Sequence, residues 1–190
     1  MPALAKALKF LSPDRKASSF VRIRLPVDGR LYVSPMPYGP YDVRNQLMRT
    51  YVRNRVSYAL VLVTDEEIRQ KCKKRLFRRY EKAGIVPLHL PVRDMLNPLF
   101  EEVNAIMPRL LRVLSNSSMV IHCNAGVGRT AIVTACCVAV IQRCSGDRAI
   151  ATIRQQMQLR MTTSQKTFVR RWVEEHAEQF HNPNLAPLRS

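Results

Sequence analysis

No apolar run in the 190-residue sequence is long enough to cross a bilayer. The longest, Ala131 to Ile141, falls well short of the ~20 residues a spanning helix needs. There is no CxxC pair, and the four histidines make no metal-ligand spacing with the cysteines Cys72, Cys123, Cys136, Cys137 and Cys144. A disulfide framework and a zinc module are thereby excluded, and a reduced, intracellular, cytoplasmic chain is expected. Gly-Lys-Ser/Thr is missing, which excludes a Walker-type nucleotide loop. There is no internal repeat and no low-complexity tract, so a solenoid is excluded. Lys6 and Lys9 interrupt Met1 to Phe10, so a secretory signal core is not expected there.

Negative charge is scarce. Fourteen acidic residues face 31 Lys and Arg, a formal net charge of +17, and 20 of the basic residues lie in 1–95. Such a field draws anions: phosphorylated proteins, phosphoinositides, acidic membranes or nucleic acid. Contact with a membrane through the basic surface or the N-terminal segment is compatible with it. For any single Lys or Arg, a solvated surface position accounts for the charge as well.

With 46% hydrophobic and 24% charged residues, the chain reads as one folded domain. We expect an N-terminal extension over 1–20, a catalytic domain over 21–181 and a flexible tail over 182–190. Turn residues cluster at Pro26–Gly29 and at Ser34–Pro40, with a short strand at Arg30–Ser34 between them. A helix is expected from about Tyr41 to Arg53. Val56–Val63 is β-branched and nearly continuous, as in a strand buried on both faces. Thr64 then suits an N-cap with Glu67 as its box partner, opening a helix from about Glu66 to Lys82 whose apolar side is Ile68, Cys72, Leu76, Phe77 and Tyr80. Gly84 ends it. Strand Ile85–Pro91, a helix from Asn97–Pro98 to about Ser115, strand Ser118–Cys123, a long helix from Val127 or Gly128 to Arg143, and helices over Asp147–Gln158 and Thr163–Phe180 complete the order. This alternation predicts an α/β fold, a mainly parallel sheet of four to five strands flanked by helices on both faces. In such sheets functional groups gather at the carboxyl ends of the strands.

One of those ends carries the strongest signal, His122-Cys123-Asn124-Ala125-Gly126-Val127-Gly128-Arg129-Thr130. A cysteine ends a buried strand, five residues of tight turn follow, and an arginine falls in the first turn of a helix. The backbone N–H groups of Asn124, Ala125, Gly126, Val127, Gly128 and Arg129 are placed to converge on one spot at a helix N-terminus, which makes a cradle for a phosphate dianion. Gly126 and Gly128 let the backbone approach closely and take positive φ. The cradle favours Cys123 as a thiolate nucleophile. Arg129 offers a planar fork to two phosphate oxygens. Thr130 brings a hydroxyl toward the sulfur, and His122 is expected to hold the loop rather than act as a base.

HCNAGVGRT resembles the HC-x(5)-R-S/T signature of the protein-tyrosine and dual-specificity phosphatase superfamily, and the short length and element order are similar to its compact dual-specificity members from about Leu31 to Phe180. The resemblance implies an aspartate general acid on the loop before the preceding helix. Asp94, 29 residues before Cys123, is that residue, with Arg93 where many relatives have proline. The chemistry needs such a group to protonate the departing oxygen and then to deprotonate water. Asp65, Glu66 and Glu67 also sit at a strand's carboxyl end, where helix capping accounts for them. Met161-Thr162-Thr163-Ser164-Gln165 matches a Gln-Thr-x-x-Gln motif in its last glutamine only, which makes Gln165 a supporting candidate for placing water; an ordinary helix N-terminus explains the segment equally.

The implied activity is a cysteine-dependent phosphatase working through a phosphocysteine, with no cofactor and no metal. The first expected substrate is a phosphotyrosyl protein, with phosphoserine and phosphothreonine admitted by a shallow pocket. A phosphoinositide or inositol phosphate is the alternative, although Asn124 and Val127 stand where lipid-directed relatives place lysines. RNA 5′-triphosphate hydrolysis comes third, so nucleic acid is not the expected partner. A non-enzymatic phospho-binding protein is disfavoured because Cys123 and Arg129 are both present. A monomer is expected.

Overall fold

The computed structural model describes residues 19–180 apart from Lys73. The expected N-terminal extension, except for Ser19 and Phe20, and the expected tail therefore lie outside the described residues. Five strands form one sheet: β1 Val21–Ile23, β2 Arg30–Ser34, β3 Tyr58–Val61, β4 Val86–His89 and β5 Ser118–His122. Their spatial order is β1-β2-β5-β3-β4. β2, β5, β3 and β4 are mutually parallel, and β1 pairs antiparallel with β2 at the edge. The predicted α/β architecture is therefore present. β5, last in sequence, occupies the centre, so its carboxyl end opens between those of β2 and β3.

Among the described residues seven helices cover the sheet: α1 Leu47–Arg53, α2 Asp65–Lys71, α3 Leu76–Lys82, α4 Phe100–Asn116, α5 Arg129–Gln142, α6 Gly146–Arg154 and α7 Thr163–His176, the last continued by a 3₁₀ turn Ala177–Phe180. α5 is buried from Arg129 through Val140, as its uniformly apolar composition requires. Met119, Val120 and Ile121 of β5 are buried beside Ala59 to Val63. This dry centre fixes the strand ends that carry the site.

Three expectations change. The helix expected from about Tyr41 begins only at Leu47, because the buried Asp42 carboxylate accepts the N–H groups of Tyr38, Gln46 and Leu47 and folds the preceding segment into turns. The helix expected over Glu66–Lys82 is two helices. Cys72 leaves α2 in an extended conformation, and Arg75 enters α3 in another. β1 was absent from the sequence reading.

Candidate active site

β5 ends at His122, and the chain from Cys123 to Gly128 wraps a loop that delivers Arg129 into the first turn of α5. The loop is tied to its neighbours through backbone: Met36 N–H donates to Asn124 O (3.1 Å) and Arg160 N–H to Val127 O (2.9 Å). Gly126 has φ +76, and a Cβ there would stand 2.5 Å from the Ser34 carbonyl oxygen, so only glycine fits. Gly128 differs from the expectation of positive φ. It has φ −110, and a Cβ would meet Gln165 Oε1 at 3.4 Å and Arg160 O at 3.5 Å, ordinary contact distances, so neither φ nor space requires glycine there.

Cys123 is buried at the base, and its Sγ accepts the Gly126 N–H at 3.2 Å. Above it opens a cavity of about 320 Å³ lined by Cys123, Asn124, Ala125, Val127, Gly128 and Arg129 from the loop, joined by Asp94 and Gln165. The residues singled out in the sequence thus come together. Tyr41, Met95 and Arg160 also line it and were not anticipated.

Arg129 is buried and held on three sides. Nη1 donates to Glu67 Oε2 and to Val92 O (2.7 Å), Nη2 donates to Glu67 Oε1 (3.0 Å), and Nη2 lies 3.0 Å from Asp94 Oδ1. Glu67 is a bidentate anchor for the arginine. Its capping role is real as well, since Thr64 Oγ1 accepts Glu67 N–H and Glu67 Oε2 accepts Thr64 N–H. Burial alone would raise the Glu67 carboxyl, but Arg129 and then Lys71 outweigh it and hold it below the usual range. Burial acts against the Arg129 cation too, but its hydrogen bonds to Glu67 and the nearby negative charges of Cys123, Glu67 and Asp94 together outweigh burial and raise its pKa. Sequence reasoning assigned Glu67 to capping alone. The available signal was a third acid at a strand's carboxyl end in a chain poor in acids.

Asp94 is exposed on the loop after β4, across the opening from Cys123, and its Oδ1 accepts the Met95 N–H. Gln165 is buried at the N-terminus of α7. Its Oε1 accepts Thr162 N–H in a capping box, and its Nε2 lies 3.5 Å from Leu96 O. The cap and the cavity position, set against each other from sequence, both hold. Thr130 Oγ1 and Asn124 Oδ1 are buried with no hydrogen-bond partner among the described residues. Cys136 and Cys137 are buried core residues whose thiols burial pushes up, Cys137 to about 12.

His122 is fully enclosed under the loop, with Nε2 2.6 Å from the Tyr80 hydroxyl and Nδ1 3.4 Å from Cys123 O. A carbonyl only accepts, so Nδ1 carries the proton and Nε2 accepts from Tyr80. Burial drives His122 down to about 4, which keeps it neutral. The ordinary imidazole titrates near 6.5, so the unfolded chain takes up a proton between pH 6.5 and 4 that the folded chain refuses. Stability is complete above pH 6.5 and falls through that window by up to about 3 kcal/mol. Urea unfolding at pH 7 and pH 4.5 is expected to show this loss in the wild type and a smaller one in His122→Gln. Equal losses in the two proteins would remove His122 as the cause.

Residues 45–142 match the model of a family described as "Polymorphic toxin system, DSP-PTPase phosphatase". No curated protein matches the chain significantly. Among solved structures, a kinase associated phosphatase (KAP) with its catalytic-site cysteine replaced by serine superposes with TM-score 0.75 at 20% identity, covering 86% of this chain and 98% of that one. PTPMT1 in complex with PI(5)P gives TM-score 0.67 at 18% identity, covering 84% and 97%. Human DUSP28 gives 0.59 at 14%, covering 84% and 97%.

Proposed function

This chain belongs to the DSP-PTPase phosphatase family, whose members are phosphoric monoester hydrolases, and from that premise we propose that it hydrolyses phosphotyrosyl proteins through a phosphocysteine. The observation that carries this reading is the Cys123 sulfur at the floor of a cavity whose opening holds both the clamped Arg129 guanidinium and the Asp94 carboxylate.

In the first step the Cys123 thiolate attacks phosphorus while the bond to the ester oxygen breaks. Arg129 and the loop N–H groups carry the charge of the equatorial oxygens. Asp94, protonated, gives its proton to the departing oxygen. In the second step the Asp94 carboxylate takes a proton from water, whose oxygen attacks phosphorus. The S–P bond breaks, and the thiolate returns with inorganic phosphate released. Thr130 Oγ1, buried and unpartnered among the described residues, is the donor we assign to the sulfur as it leaves. Gln165, in the cavity lining, is the residue we assign to placing that water. His122 positions the loop through the Cys123 carbonyl. No metal or cofactor enters the scheme.

Asp94→Ala is expected to lower kcat on a phosphotyrosine peptide by roughly 100-fold or more. The loss should shrink on an aryl phosphate whose leaving group needs no proton. Assays in EDTA on phosphotyrosine, phosphoserine and short-chain phosphoinositide substrates test both the acid and the substrate order. Equal loss on activated and unactivated esters would remove Asp94 from proton transfer. A second reading, phosphoinositide hydrolysis, draws support from Arg160 in the cavity lining beside Arg129. PTPMT1, a protein of this fold, was crystallised with PI(5)P. A higher kcat/KM on the lipid headgroup than on the peptide would select it.

A further inference from the structure

Two segments contribute to the cavity lining besides the phosphate loop: the turns around Tyr41 and the loop carrying Asp94 and Met95. Apolar side chains are concentrated there. Among the described residues six large hydrophobics are exposed, and four of them lie on or beside these segments: Val43 at 82%, Met95 at 64%, Leu96 at 54% and Leu99 at 64%. A soluble surface exposes single apolar residues routinely, but here four of the six exposed among the described residues fall on the two segments that line the cavity or directly beside them. Met95 is also held at φ +65, a conformation that costs a residue with a side chain.

The same border is basic. Arg44 follows Val43, Arg93 precedes Asp94, and Arg160 lines the cavity itself; all three are exposed. Near the Tyr41 segment, Arg79 lies 6.0 Å over the Tyr38 ring, with Arg78 exposed on the same helix and Arg75 exposed at its N-cap. The carboxylates here are largely engaged: Asp42 by backbone N–H groups, Asp94 by Arg129, and Glu102 by the Leu99 N–H. Glu101 is the exposed exception.

We infer that this border is a docking surface for an anionic lipid bilayer, with the arginines at the headgroups and Val43, Met95, Leu96 and Leu99 entering the acyl boundary. Nucleic acid would use the arginines but has no use for unstacked aliphatic side chains. Interleaved aliphatic and arginine side chains on one face are what interfacial binding requires. The docking itself is independent of the phosphatase reading. Its consequence, that the phosphomonoester hydrolysed is carried at a bilayer, rests on that reading.

The test is co-sedimentation of the full chain with vesicles of phosphatidylcholine alone or with roughly one-third phosphatidylserine, neither containing a phosphomonoester lipid. The wild type should partition at least about tenfold more strongly onto the anionic vesicles. Val43→Ser/Leu96→Ser/Leu99→Ser should lose about tenfold of that partition, and Arg44→Glu about fivefold. Both variants should hydrolyse p-nitrophenyl phosphate at the wild-type rate, which shows that they fold. Equal partition onto the two vesicles overturns the proposal, as does wild-type partition by both variants. Retention on single-stranded RNA without vesicle binding reassigns the basic surface to nucleic acid. Vesicle binding by a wild type that cannot hydrolyse p-nitrophenyl phosphate leaves the docking intact and rejects the catalytic reading.

Discussion

Cys123→Ser is expected to abolish turnover, with a loss of roughly 10⁴-fold or more, and to leave phosphotyrosine-peptide affinity within a few-fold of the wild type. The two halves of this expectation have different physical causes. A serine hydroxyl is un-ionised at neutral pH, and His122 is no substitute base because burial opposes its taking up a proton and both ring nitrogens are engaged by Tyr80 and the Cys123 carbonyl. The proposed phosphate site, in contrast, is Arg129 and the loop backbone, neither of which the substitution touches. Serine is smaller than cysteine and its oxygen still accepts the Gly126 N–H, so the loop has no reason to move. Steady-state hydrolysis and fluorescence binding of the same peptide measure the two halves. Activity within about tenfold of the wild type would remove Cys123 as nucleophile. Loss of binding together with activity would instead assign the effect to loop collapse.

The segment from Ser118 to Arg143 was legible because its signal is local. An apolar β-branched run, a cysteine, two glycines and an arginine lie within one strand–loop–helix unit, and each residue type is demanded by its own neighbours. What escaped the sequence was set by contacts distant along the chain. Glu67 lies 62 residues from Arg129, and its capping pattern already accounted for it locally, so nothing nearby pointed to a second partner. The break between α2 and α3 was hidden because Ile68, Cys72, Leu76 and Tyr80 keep helical spacing across it. Two short helices packed on one core surface preserve the same apolar pattern as one long helix. The late start of α1 came from Asp42, whose side chain outcompetes the helix for backbone donors. β1 has three residues at a sheet edge, too few to establish a period of two.

Arg129→Lys is expected to lower kcat/KM by roughly 10²- to 10³-fold and to weaken inorganic phosphate binding in parallel. The native guanidinium satisfies Glu67 through two nitrogens, the Val92 carbonyl through one and Asp94 through the other, and it also lines the cavity. An ammonium has a single nitrogen. It can remain with Glu67 or reach the phosphate, but cannot span both in one plane. The same change leaves the buried Glu67 carboxylate short of a partner, with Lys71 at 3.1 Å as the remaining cation, so a stability loss of about 1–3 kcal/mol should accompany the kinetic one. Glu67→Gln separates the two roles. It keeps Arg129 in place as the phosphate ligand and weakens only its anchor, so the kinetic loss should be about tenfold, with phosphate affinity reduced less than in Arg129→Lys. Phosphate titration by calorimetry and urea unfolding of both variants read the two effects apart. If Arg129→Lys binds phosphate as tightly as the wild type and differs only in stability, the arginine is a structural tie between α5 and α2 and not the phosphate-binding cation.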